Sequence, residues 1–288
     1  MSFVKIVAPL TGGERDAAVL TSAISAALPF GAHIVALFVR ADPALAMPFY
    51  AEGASSLVMQ EVVDRTREAS GEAARAARET VMAVARAADV AAIERPEKRD
   101  TPTISFLVVD GSFADCVVRA ALLSDLVVFS APGEDNHLGA AEAIDAVLLE
   151  ARRPALLSSK PIAPGFQARI AIGWDASAAC MQAVCAAMPL IGRAQEVFVY
   201  CVRHAENAPA RCPELLDYLA LHGIKASAVE LSADKRTVAD TLVEAAAQAG
   251  AGVLVLGGYG HSRWRELFVT STTRQAMSRL EVPLFLMH

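Results

Sequence analysis

The sequence predicts an α/β protein built as two tandem parallel-sheet domains with helices on both faces. Three observations carry that prediction. Short β-branched runs alternate with helical segments, the alternation is written twice along the chain, and the apolar content is dominated by small aliphatic residues. The chain has 288 residues, of which 54% are hydrophobic, 20% charged and only 6% aromatic. That length suits two domains of ordinary size, and the composition is that of a compact chain with small-residue helices packed on buried strands.

The first half opens with Phe3-Val4-Lys5-Ile6-Val7-Ala8 and the second with Ala168-Arg169-Ile170-Ala171-Ile172-Gly173. Each is a first strand leading into a turn of small residues. A helix follows in each, predicted to end at Ala27-Leu28-Pro29 and at Ala187-Met188-Pro189, with Gly31 and Gly192 just beyond as stop signals. Second strands come next, at residues 34–40 and 197–203, both ending in Val-Arg. The copies then differ most in length. A long helix-forming stretch occupies residues 55–88, against a short one at 213–221. Third strands are expected at 104–109 and 226–231, helices at 113–123 and 238–249, and fourth strands at 126–129 and 253–256. Each copy closes with a Pro-initiated strand, Pro154-Ala155-Leu156-Leu157 and Pro283-Leu284-Phe285-Leu286.

Residues 158–165 contain Lys160-Pro161-Ile162-Ala163-Pro164-Gly165 and read as the linker. The domains are therefore residues 1–159 and 166–288, each expected to fold on a parallel sheet of its own. Right-handed crossovers place helices on both faces of such a sheet. Its ligands lie at the carboxyl ends of the strands, where the strand order reverses.

A formal charge of −6 offers no general attraction to nucleic acid or an anionic membrane. Residues 17–39 carry no charged side chain, but Leu28-Pro29-Phe30-Gly31 breaks the stretch into helix, turn and strand, so no membrane span is expected. The start of the chain runs directly into a strand without the features of a secretory signal. The five cysteines form no CxxC pair, and Cys116, Cys180, Cys185 and Cys201 have the apolar neighbours of small core residues. Both features fit the cytoplasm. The six histidines are scattered without metal-ligand spacing, so no metal site is expected. The mixed charges of residues 64–78 fall at three- and four-residue spacings, the pattern of a solvated helix face.

After the fourth strand of the second copy stands Gly257-Gly258-Tyr259-Gly260-His261-Ser262-Arg263, followed by Thr270-Ser271-Thr272-Thr273-Arg274. Glycines after a buried strand let backbone amides approach a phosphate, although the same glycines can simply turn the chain. His261 and Arg263 stand within reach of a phosphate, and Ser271, Thr272 and Thr273 supply hydroxyls. The stretch resembles the nucleotide loop of universal stress proteins. Gly257 and Gly260 match its first two glycines and Ser271 its hydroxyl position, while Thr270 stands where the third glycine would be. The likeness covers nearly the whole chain twice and implies an adenine nucleotide alpha hydrolase-like, Rossmann-like fold.

The resemblance also implies a base and ribose contact at Asp175, in Gly173-Trp174-Asp175-Ala176-Ser177, and another at Val202. An acid at a strand-to-helix turn can equally cap the helix. The ligand implied is ATP or AMP. The first copy has no matching acid after its first strand, where Pro9-Leu10-Thr11-Gly12-Gly13 makes a helix-start turn, and Glu134 and Asp135 follow its Gly133. It is expected to serve as a structural partner that packs on its twin within the chain. The function expected is that of a stress or signalling protein that binds an adenine nucleotide in its second half, with no catalytic constellation and at most slow incidental hydrolysis. A homodimer is a further expected partner. The competing reading is a nucleotide-free interaction protein of the same fold.

Overall fold

The computed structural model describes residues 2–41, 56–131, 139–203, 212–233, 236–258 and 281–288. The first half runs β1 (Lys5–Leu10), α1 (Asp16–Ala27), β2 (His33–Ala41), α2 (Ser56–Ala87), β3 (Ala91–Ala92), β4 (Thr103–Gly111), α3 (Phe113–Ala121), β5 (Leu126–Ser130), α4 (Ala140–Leu149) and β6 (Ala155–Ser158). The second runs β7 (Arg169–Gly173), α5 (Ala178–Ile191), β8 (Glu196–Arg203), α6 (Cys212–Leu221), β9 (Ala226–Ser232), α7 (Val238–Gln248), β10 (Val253–Gly257) and β11 (Leu284–Met287).

The repeat is visible in the topology. The strand order is β3-β4-β2-β1-β5-β6-β11-β10-β7-β8-β9, so both halves arrange their third, second, first, fourth and fifth strands in the same order. All pairings are parallel except β6 with β11, which run antiparallel through Leu157↔Leu284, Leu156↔Phe285 and Ala155↔Leu286. The expectation of one sheet per copy is thereby corrected. The closing strand of each half would otherwise be an edge with unpaired amides and carbonyls, and joining the two edges satisfies them. One continuous sheet results, with the carboxyl ends of the two sets of strands on opposite sides of it.

Side chains alternate between its faces. Ile6, Ala8, Leu10, Ile170, Ile172 and Phe285 lie in the apolar layer under α1, α2, α5 and α6. Val7, Val127, Ala171, Leu254, Leu256 and Leu284 lie in the layer under α3, α4 and α7. Each layer runs through both halves.

Two local details differ from the expected pattern. Helix α5 does not stop at Pro189 but continues to Ile191. Pro189 falls in the last turn, where its missing N–H forfeits a single helical bond, and Gly192 N then donates to the Met188 carbonyl at 2.9 Å. The extra strand β3 covers the outer edge of β4, pairing Ala91↔Thr103 and Ala92↔Ile104. The linker is also pinned. Ser25 Oγ donates to the Ile162 carbonyl at 2.7 Å, and Ile162 N donates to Ser22 Oγ at 3.0 Å, which accounts for two buried serines inside α1.

Candidate functional site

The chain leaves β7 toward β8 on one side and has β10 on the other, so the strand order of the second half reverses between β7 and β10. The β7–β8 ladder extends one residue beyond the strand, with Trp174 N donating to the Tyr200 carbonyl at 2.8 Å. The turn that follows places Asp175 at the surface, and its Oδ1 accepts a 2.8 Å hydrogen bond from Ser177 N. Ala176 has φ +61°, a left-handed conformation that costs an L-residue about 1 kcal/mol. Ser177 is the helix cap, its Oγ accepting from Cys180 N at 3.2 Å. Asp175 therefore shapes the turn before the cap, and the capping role itself belongs to Ser177.

Beneath the turn, Cys180 Sγ donates to the Gly173 carbonyl at 3.5 Å. Burial, and after it the negative charge of Asp175, push the Cys180 thiol up to about 11. The thiol is thus protonated at neutral pH and carries no nucleophile. Gly257 ends β10 directly against α5: a Cβ there would lie 2.3 Å from Cys180 N and 2.7 Å from Cys180 Cα. Gly258 is less crowded, with the Met287 carbonyl oxygen 3.5 Å from its would-be Cβ. Its amide donates to that same carbonyl, and its own carbonyl is 2.8 Å from His288 Nδ1. Val202 lies near the end of β8 in register with Leu231 of β9 and packs on the layer beneath α7.

Asp175, Val202 and Gly257 thus share the carboxyl-end side of β7, β8 and β10. Gly260, His261, Arg263, Thr270, Ser271, Thr272 and Thr273 lie outside the described residues. Trp174 drew no attention in the sequence. Its indole Nε1 is buried and has no hydrogen-bond partner, while the ring packs on the layer beneath α5 and α6. Only its position one residue before Asp175 could have pointed to it.

The equivalent place in the first half is filled from within. Strand register aligns Thr11 with Asp175 and Gly12 with Ala176, and Gly12 shares the left-handed backbone at φ +78°. The carboxylate of Asp16, 2% exposed, accepts from Thr11 N at 2.9 Å, Gly12 N at 2.8 Å and Thr11 Oγ1 at 3.2 Å. Ala73 of α2 lies against Gly12, its Cβ 2.9 Å from where a side chain would start. Arg40 and Asp110 pair through two hydrogen bonds of 2.7 and 2.9 Å, and Arg15 reaches the Ala131 carbonyl. Among the described residues no cluster of His, Cys, Asp and Glu could hold a metal ion, and no helix is long and apolar enough to cross a membrane.

The chain is a duplicated α/β protein whose first half holds with the Asp16 carboxylate the strand-end turn that carries the exposed Asp175 in the second. Its fold is that of universal stress protein structures. A universal stress protein from Archaeoglobus fulgidus matches 98% of this chain and 95% of its own, with a TM-score of 0.64 at 14% identity. A functionally unknown protein from Pseudomonas aeruginosa matches 99% of this chain and 92% of its own, with a TM-score of 0.50 and 14% identity. At that identity the likeness establishes the fold. No protein-family model matches the sequence, and no curated protein matches it.

Proposed function

We propose that this chain is a universal stress protein-like, cytoplasmic stress-response protein that binds an adenine nucleotide, ATP or AMP, in its C-terminal half. It acts by reporting nucleotide state through conformation or partners, and any hydrolysis is slow and incidental. The supporting observation is the convergence of Asp175, Val202 and Gly257 at the carboxyl ends of β7, β8 and β10, where the strand order reverses. An exposed carboxylate there can accept from a ribose hydroxyl or an exocyclic amine, and the end of β8 offers backbone polar groups beside an apolar wall. The first half serves as a structural partner, because the amides of its own turn are already taken by Asp16. A homodimer of whole chains belongs to the same reading.

The test is the melting temperature of the purified chain with and without ATP or AMP. Ligand at about 100 times Kd stabilises by about 2.7 kcal/mol, an upward shift of several degrees. No shift with either nucleotide at millimolar concentration overturns the proposal.

A nucleotide-free interaction protein is the second reading. It is favoured by one hydrogen bond already made and one packing requirement: Asp175 Oδ1 is engaged by Ser177 N, and Gly257 is required to be glycine by its contact with α5. Nucleotide released on denaturing the purified protein rules this reading out. Binding gained only with Thr270→Gly supports it.

A further inference from the structure

Joining β6 to β11 consumes the closing edge of each half and leaves the sheet with two outer ends, β3 on β4 and β9 on β8. The two ends are finished differently. At the first, β3 pairs with Thr103 and Ile104, and Ile93 N donates to the Ile104 carbonyl at 2.8 Å. At the second, β9 pairs with β8 along all seven of its residues, and among the described residues no strand covers its outer side. Ser227, Ala228, Val229 and Glu230 are exposed in succession. Alternate residues of such a strand aim N–H and C=O away from the sheet, where another strand can take them. The segment Ala226-Ser227-Ala228-Val229-Glu230-Leu231-Ser232 contains no proline and no lysine, the residues that commonly blunt an open edge.

The occupant that fits this edge is the same strand of a second copy, running antiparallel. A two-fold axis normal to the sheet keeps every side chain on its own face, so odd-numbered residues meet odd and even meet even. An axis at Val229, the midpoint of β9, pairs the strand over its full length: Val229 with its own mate, Ala228 with Glu230, Ser227 with Leu231 and Ala226 with Ser232. Glu230 then faces alanine, whereas moving the axis to Glu230 would oppose two carboxylates. Val229 is in register with Tyr200 of β8, so two valines meeting on the axis carry that row from one sheet into the next. Edges that capture a foreign peptide read its alternate side chains in pockets beside the strand. The self-paired register needs no such pockets, because β9 supplies its own complement.

We propose that the outer edge of β9 is the interface of a homodimer, in which two chains join antiparallel about Val229 into one continuous sheet. The proposal takes up the homodimer of the reading above and is independent of its nucleotide. The join repeats between chains what β6 and β11 do within one. Two strands of this length bury less than the roughly 1,200 Å² of a standard stable interface, so the dimer is reversible and depends on concentration.

The test is sedimentation of the full chain from micromolar to near-millimolar concentration, with amide hydrogen exchange measured at both ends of that range. The mass is expected to rise from 30.3 kDa toward twice that value, and exchange in residues 227–231 to slow as it does. Val229→Lys sets like charges face to face on the axis and should hold the mass at 30.3 kDa throughout. Its circular dichroism should be unchanged, since Val229 is 37% exposed. Leu123→Lys alters an apolar side chain that is 79% exposed in the other half, and should dimerise as the unmodified chain does. If Val229→Lys fails to fold, hydrogen exchange in the unmodified chain still decides. A dimer that persists in Val229→Lys, or that leaves exchange in residues 227–231 unchanged, overturns this interface and leaves the homodimer standing. A single-chain mass at every concentration overturns both, while the melting shift with ATP or AMP judges nucleotide binding separately. Assemblies larger than a dimer overturn the two-fold pairing, because they mean that β9 meets a different edge of the next chain and leaves its own counterpart open.

Discussion

Gly257 stands so close to Cys180 that a side-chain carbon on the glycine would lie 2.3 Å from the cysteine's backbone nitrogen. The atoms in the way are backbone of the first turn of α5, which cannot rotate aside as a flexible side chain would. Gly257→Ala is therefore expected to push α5 off the end of β10 and to destabilise the fold by about 1–3 kcal/mol. Gly258→Ala, whose Cβ would meet only the Met287 carbonyl at ordinary contact distance, serves as the control. Denaturant midpoints of the two variants check this, and equal loss in both would show that the contact with α5 is not the cause.

The carboxylate of Asp16 holds the turn after β1 from within the chain. It takes the amides of Thr11 and Gly12 at the carboxyl end of β1. Asp16→Ala leaves the amides of Thr11 and Gly12 without their acceptor in a half-buried turn, a loss of about 1–3 kcal/mol in all because water can reach part of it. The measurement is the urea midpoint, with Asp16→Asn as the milder comparison because its amide oxygen still accepts. If Asp16→Ala leaves the midpoint unchanged, the turn is not held by this carboxylate.

How far the sequence discloses this arrangement depends on the length scale of the signal. The strands were legible because buried parallel strands are unbroken apolar runs, as in Val253-Leu254-Val255-Leu256. The duplication was legible because both copies keep the same stops, among them Gly31 and Gly192. The junction of the halves was not, since an antiparallel pairing of two distant closing strands leaves no local trace in Leu156 or Phe285. For the same reason the burial of Asp16 escaped notice. Asp175 was found at its turn, yet the glycine of Gly257 carries a packing requirement set by Ala179 and Cys180, which the pattern of the loop does not contain.

His33 offers a pH test. It is buried at the start of β2, with Nδ1 2.7 Å from Thr103 Oγ1 and Nε2 2.9 Å from Ser105 Oγ. Burial first, and then the positive charge of Lys5, lower its pKa below the ordinary 6.5. The unfolded chain then binds the proton more readily than the folded one, so stability rises with pH across this range. The contribution is complete above about pH 6.5 and is lost as the pH falls toward the lowered folded value. Urea midpoints measured from pH 7.5 down to pH 5 should fall, and His33→Gln should flatten that limb. An unchanged slope in the variant would assign the acid sensitivity to other groups.

The β6–β11 junction makes a prediction about cooperativity. Phe285 is wholly buried and faces Leu156 in register across the antiparallel pair, and both belong to the apolar layer that continues under α1 and α5. The two halves share that core and, among the described residues, are joined in the sheet through this pair, so neither can unfold without exposing the closing strand of the other. A single unfolding transition is expected by calorimetry and by circular dichroism alike. Phe285→Ala opens a cavity at the seam and should cost about 3–5 kcal/mol, while uncoupling the halves enough to split the transition in two. Val4, 65% exposed and outside the β6–β11 pairing, gives the control Val4→Ala with a change within about 0.5 kcal/mol. Two separate transitions in the unmodified chain would mean that the shared sheet does not bind the copies into one folding unit, and the seam would then be a contact between independent domains.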